Sequence, residues 1–181
     1  YRAGYKTIAE ISKERIRRAG AKIRKGIEIE QTKQKGQLSF GEDQTVVMPD
    51  LGFKVFKLSD SNFKQWRDIQ GSNKEEWQQQ ILNFLDPITE NATIDNMVYE
   101  LLLKSGKDLN SVIEHKKGYY TINGKDLILM LESATQEVID SILVEHPNKV
   151  IALDRLFEGN DQLKTNTVLQ MKDIGVEFKT I

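Results

Sequence analysis

The sequence contains no cysteine, three prolines and two histidines among its 181 residues. Without cysteine, neither a disulfide nor a thiolate metal site can form. His115 and His146 have no ligand-spaced partner, which argues against an imidazole metal centre and assigns both to exposed or locally hydrogen-bonded roles. No apolar run approaches the ~20 residues of a membrane span, and no signal peptide is evident, so a cytoplasmic protein with no membrane partner is expected. Glycine-rich phosphate loops are lacking too: the one candidate, Glu158-Gly159-Asn160-Asp161, has a single glycine. The chain begins at Tyr1 rather than Met, which suggests a fragment.

With 39% hydrophobic and 29% charged residues, the chain is long enough for one good core plus an appendage. Its net charge of −1 conceals an asymmetry: residues 1–36 hold 11 Lys/Arg against 4 Asp/Glu, and the remainder holds 15 against 23. A basic head therefore precedes an acidic body, and the overall charge says little about partners.

The strongest architectural signal lies in residues 126–181. Three short apolar or β-branched runs, at 127–131, 150–153 and 176–181, are separated by amphipathic helical patterns, which predicts β-α-β-α-β with parallel strands and right-handed crossovers. Thr135 is a plausible cap for the first crossover helix, which carries Val138, Ile139, Ile142 and Leu143 and ends at Pro147. The second starts near Asn160–Asp161, carries Leu163, Val168 and Met171, and stops at Gly175. Asn123-Gly124, between runs at 119–122 and 126–131, predicts a tight hairpin, since both central residues of that turn need positive φ. The expected fold class is thus α/β: a mixed, mainly parallel sheet covered by helices, with a long basic amino-terminal helix.

That helix is expected from Tyr5 to about Lys25, with Thr7 as its cap. At ~100° per residue, Ile8, Ile16, Ala19 and Ile23 form an apolar stripe, and Lys6, Lys13, Arg17 and Arg24 fall on a second line within roughly 40°. Four cations so placed can follow a phosphate backbone without reading sequence. Glu10 and Glu14, three and four residues before Lys13, Arg17 and Arg18, fit equally well a solvated helix held by intrahelical pairs. Periodicity then fails as far as Pro49, which predicts a linker or loose hairpin, with a short strand at Ile27-Glu28-Ile29-Glu30 as the alternative.

An edge strand is expected over 51–58, from the alternation of Phe53 and Val55 with Lys54. A short helical piece follows from Asp60 or Ser61 through Trp66, then helices at about 74–85 and 93–104. Trp77, Ile81, Leu82 and Phe84 should pack the former; Ile94, Met97, Val98, Leu101 and Leu102 the latter. Lacking a basic cluster nearby, Trp66 and Trp77 are assigned to packing rather than to stacking on bases. Asp154 at a strand end, with Asn160, Asp161, Lys164, Thr165 and Asn166 at the next helix start, lies where α/β units hold polar ligands. The same residue types also serve as caps and loop ties.

Three separated stretches carry a family resemblance. Tyr5-Lys6-Thr7-Ile8-Ala9-Glu10-Ile11-Ser12-Lys13-Glu14-Arg15-Ile16-Arg17-Arg18, Asp50-Leu51-Gly52-Phe53-Lys54-Val55-Phe56-Lys57-Leu58 and Gly159-Asn160-Asp161-Gln162-Leu163-Lys164-Thr165-Asn166 together resemble the carboxyl-terminal part of the modification subunit of type III restriction-modification systems. Those subunits are S-adenosylmethionine-dependent DNA adenine-N6 methyltransferases. The resemblance implies a bacterial, cytoplasmic protein acting on double-stranded DNA with a restriction subunit and a second modification subunit. It implies residues 1–27 as the tail of the methyltransferase domain, 28–49 as linker, and 50–181 as an α/β assembly domain.

It also implies what lies elsewhere. The family's Asp-Pro-Pro-Tyr motif stacks and holds a flipped adenine, and its Phe-x-Gly-x-Gly loop admits the cofactor; both belong upstream of the region matched here. No two prolines are adjacent in this chain, and Asp86-Pro87-Ile88-Thr89 does not supply the motif. No methyl transfer is expected from this chain alone, no catalytic residue is carried over, and no cofactor is expected on it. The alternative expectation is a non-catalytic nucleic-acid module using Lys6, Lys13, Arg17 and Arg24.

Overall fold

A computed structural model describes residues 4–35, 47–64, 74–85 and 87–181. The chain divides into two units, Tyr1–Lys57 and Leu58–Ile181.

The first unit is built on α1 (Ile8–Lys35). Thr7 Oγ1 accepts from the Glu10 backbone N–H at 3.2 Å, and the Glu10 carboxylate accepts from the Lys6 backbone N–H at 2.7 Å. This reciprocal arrangement satisfies donors that the first turn leaves without partners. The helix runs ten residues past its expected end at Lys25, so residues 28–35 are helical rather than linker or strand. Gly26 costs about 1 kcal/mol in a helix interior, and the Glu, Gln and Lys residues beyond it are good enough helix formers to carry the helix on. The rest of the expected linker, 36–46, lies outside the described residues.

Residues 47–57 form no strand. A strand needs a backbone partner, and among the described residues of this unit there is only a helix, whose backbone groups are already used. The segment turns instead: Asp50 Oδ1 accepts from the Gly52 N–H at 2.8 Å. Leu51 lies against Gly20, and the Arg17 guanidinium sits 5.9 Å from the centre of the Phe53 ring. No described residue from 4 to 57 is buried.

The second unit holds the core. Helix α2 (Lys74–Leu85) forms where expected, but Trp77 and Ile81 remain 41% and 58% exposed. The side chains of Leu82 and Phe84, and all of Trp66, lie outside the described residues. The helical piece expected from Asp60 is absent over 60–64; instead Phe63 and Ile88 form an antiparallel bridge, with Lys64 N donating to Pro87 O at 2.7 Å and Thr89 N to Asn62 O at 2.9 Å. Ser61 and Asn62, which would have begun that helix, are engaged by Glu100 of α3 (Ile94–Lys104).

The sheet has five strands in chain order: β1 (Ile113–Lys116), β2 (Tyr119–Ile122), β3 (Leu127–Met130), β4 (Lys149–Ala152) and β5 (Glu177–Thr180). Strands β3, β4 and β5 are parallel, linked through α4 (Gln136–Glu145) and α5 (Asp161–Asp173). The β1–β2 and β2–β3 pairings are antiparallel. The sheet is therefore evenly mixed rather than mainly parallel, because β1 adds a second hairpin. At the Asn123-Gly124 turn φ is 49° and 72°, as that dipeptide predicts, though the loop spans four residues because Ile122 pairs with Leu127.

Alternation along the central strands sorts two cores. Leu127, Leu129, Leu131, Ile151 and Leu153 face α3; Ile128, Met130, Val150 and Ala152 pack with residues of α4 and α5. Burying each of the larger side chains contributes about 1.5–3 kcal/mol, which makes this helix–sheet–helix sandwich the stable body of the molecule. Thr135 caps α4 by accepting from Val138 N at 3.3 Å, and His146 ends the helix at φ 47°. On α5 the buried line is Thr167 and Met171 beside half-buried Leu163; Val168, expected to pack, lies ~100° further round and is exposed.

Candidate functional site

Strands β4 and β5 end at the same edge of the sheet, and the chain beyond β4 turns through a 3-10 helix, Asp154–Phe157, before α5 begins. This leaves a groove of about 740 Å³. Its apolar lining comes from Phe63, Pro87, Leu101, Phe157 and Ile181, brought together from distant parts of the sequence. Its charged lining comes from Lys104 on α3 and from Asp154, Arg155, Glu158, Asp161 and Lys164 around the β4–α5 connection.

The residues singled out in the sequence divide here. Asp154, Asp161 and Lys164 line the groove; Asn160 and Asn166 do not. Asn160 Oδ1 accepts from Leu163 N at 3.0 Å and so serves as the α5 cap. Asn166 is one turn further along and exposed. Asp154 ties the loop: its carboxylate meets Lys164 Nζ at 2.5 Å and its N–H donates to Ile181 O at 2.8 Å. The stretch 153–161 was placed at this edge from the sequence, though Arg155, Phe157 and Glu158 within it were not singled out, and Lys104, Phe63, Pro87, Leu101 and Ile181 were missed. Arg155 and Glu158 were legible as flanking charges, whereas nothing local in the sequence places Phe63 or Leu101 beside them.

Lys104 is already paired with Glu100 at 2.8 Å, and its ammonium lies 4.7 Å from the Phe63 ring centre. The side chains of Arg155, Glu158 and Asp161 have no hydrogen-bond or ion-pair partner among the described residues. The groove can thus bind through one uncommitted guanidinium and an apolar floor. Among the described residues, the hydroxyl lining it is that of Thr180.

The basic line is only partly on the helix. Lys13, Arg17 and Arg24 belong to α1, while Lys6 precedes it. Arg17 is 4.0 Å from the Glu14 carboxylate, which also holds Arg18 at 2.8 Å, and it faces the Phe53 ring. The surface suits low-specificity contact with anions, moderated by the carboxylates beside it.

Two polar clusters join the hairpins to the rest of the sheet. Glu132 accepts from Tyr120 Oη at 2.9 Å and lies 3.1 Å from His115 Nε2, whose ring stacks on Tyr120 at 4.6 Å. Burial, then Glu132, pushes the Tyr120 phenol up to about 12. Glu145 accepts from the Tyr119 hydroxyl and from Lys116 Nζ at 2.8 Å, and burial with that carboxylate raises the Tyr119 phenol above its ordinary value. Both phenols therefore act as neutral donors that tie the first hairpin to the end of β3 and to α4. Among the described residues, no group of three or more His, Asp or Glu side chains is placed to hold a metal ion, and no helix is long and apolar enough to cross a membrane.

Fold and groove together define an α/β unit with an open groove at one edge, preceded in the chain by a helical unit in which no described residue is buried. No family model, curated protein or solved structure matches this chain.

Proposed function

We propose that the chain is the carboxyl-terminal assembly portion of a type III modification subunit, whose intact form methylates adenine N6 in double-stranded DNA within a bacterial cytoplasm. The three-segment resemblance supplies the family. The observation that carries the assembly role lies in the α/β domain: Trp77 and Ile81, on α2, are 41% and 58% exposed. A helix of that kind gains most of its stability from packing on another surface. The partners proposed are a second modification subunit and the restriction subunit.

S-adenosylmethionine supplies the methyl group in the intact parent. The residues here do not fit it: the loop after β4 has the single glycine Gly159, and neither family motif occurs in the chain. No catalytic step is assigned to this chain.

Light scattering over a concentration series, alone and with intact modification or restriction subunits, tests the reading. Self-association or capture by either subunit is expected. A strictly monomeric species with no affinity for either would overturn it, as would tritium transfer from S-adenosylmethionine to oligonucleotides by this polypeptide alone.

The line of Lys13, Arg17 and Arg24 on α1, with Lys6 before it, favours a second reading as a duplex-binding surface. If all four contact phosphates, affinity falls about a hundredfold between 50 and 200 mM salt. Replacing the four by alanine abolishes that binding; duplex affinity unchanged in the quadruple variant would remove this reading.

A further inference from the structure

We infer that the groove at the carboxyl edge of β4 and β5 is a binding site for a small molecule with a flat apolar body and one carboxylate, held through Arg155. This inference does not rest on the assembly role proposed above.

Size and lining come first. A volume of about 740 Å³ falls within the usual range of small-ligand sites, and the lining sets five apolar residues beside six charged ones and Thr180. The floor joins two phenylalanines, Phe63 and Phe157, to Leu101, Pro87 and Ile181. A flat hydrocarbon surface covers such a floor with little loss of its own conformational freedom.

Charge then selects the polar end of the ligand. Of the three cations lining the groove, Lys164 is held by Asp154 at 2.5 Å and Lys104 by Glu100 at 2.8 Å. Arg155 is exposed and its guanidinium has no partner among the described residues. A guanidinium presents parallel donors that match a carboxylate or phosphate oxygen pair. Glu158 and Asp161 line the same groove and are also unpaired, so a second negative charge on the ligand would be repelled. A monocarboxylate engages Arg155 with a single negative charge and so meets less of that repulsion than a phosphate monoester dianion or a nucleic-acid strand.

The test uses the full chain labelled with ¹⁵N and three probes: 1-naphthoate, 1-naphthyl phosphate and the neutral 1-naphthalenemethanol. Saturable amide shifts at Lys104, at 154–161 and at 180–181 are expected with 1-naphthoate, with both other probes weaker. Arg155→Gln removes an exposed side chain without a partner, so its spectrum should otherwise be retained while naphthoate affinity falls roughly tenfold or more. Replacing both Glu158→Gln and Asp161→Asn should narrow the gap between naphthoate and naphthyl phosphate. The inference fails if naphthoate shifts none of these amides, shifts only those of residues 8–35, binds no better than the alcohol or the phosphate, or binds Arg155→Gln equally well.

Discussion

The Glu100 carboxylate accepts from Ser61 Oγ at 2.5 Å, from the Asn62 backbone N–H at 2.7 Å and from the Asn62 side-chain amide at 2.8 Å, and it meets Lys104 Nζ at 2.8 Å. Burial alone would raise its pKa; the Lys104, Ser61 and Asn62 donors outweigh burial and hold the group at about 2. A carboxyl depressed on folding contributes stability above its unfolded value near 4.5 and loses it as pH falls toward about 2. Glu100→Gln should therefore cost about 1–3 kcal/mol at neutral pH, with the difference from wild type closing below pH 4.5. Urea titrations across that range would show it, and a gap independent of pH would contradict it. Thr121 poses the opposite case, since its hydroxyl is fully buried and has no hydrogen-bond partner. Thr121→Val keeps the shape and removes the unpaired polar group, so a gain of about 1 kcal/mol is expected in the same assay. Gly118 has φ 92°, and a Cβ there would lie 2.6 Å from Ser133 Oγ and 3.0 Å from Val138 Cγ2. Gly106, at φ 69°, faces open space. Gly118→Ala should cost about 2–4 kcal/mol and Gly106→Ala about 1, because only the first adds a clash to backbone strain.

At the scale of elements, capping decides how the β4–α5 connection is read. Asn160→Ala should destabilise the second unit by about 1 kcal/mol through loss of the cap, while Asn166→Ala on the exposed side of α5 should change thermal stability little. Equal effects would contradict the division made here. Much of this architecture was legible beforehand. The runs that became β3 and β4 are short and almost continuously apolar, the run that became β5 alternates Val176, Phe178 and Thr180 with Glu177 and Lys179, and Thr93, Thr135 and Asn160 stand immediately before helices that they cap. Strand β1 was not legible: Ile113-Glu114-His115-Lys116 has one apolar residue, and its pairing with β2 supplies what its composition does not. The segment at 51–58 failed the other way, since alternation marks a possible strand but cannot provide a neighbour. For the groove, Asp154, Asp161 and Lys164 were readable from their place after a strand. The apolar floor was not, because its residues meet only when the bridge at Phe63 and Ile88 docks beside α3.

Across the whole molecule, stability is unevenly distributed. Both hydrophobic clusters belong to the second unit, whereas among the described residues α1 has its cap, intrahelical pairs and the contacts of Leu51 and Phe53 to sustain it. Isolated helices are marginal in water, so amides of α1 should exchange far faster than those of β3 and β4. A polypeptide of residues 58–181 should keep the melting temperature of the full chain within about 3 °C, since both hydrophobic clusters lie within it. A loss of 10 °C or more, read by circular dichroism, would show that the first unit contributes to the core.

Strand order equal to chain order also governs how the body can form. Each strand adds to a border completed by the one before it, and none has to be inserted between two already joined. Ribosomal emergence and sheet growth can therefore proceed in the same direction, with local closures throughout and modest loop entropy at each step. Of the five strands, Glu177–Thr180 joins last, so the groove's outer wall is set in place after the other four.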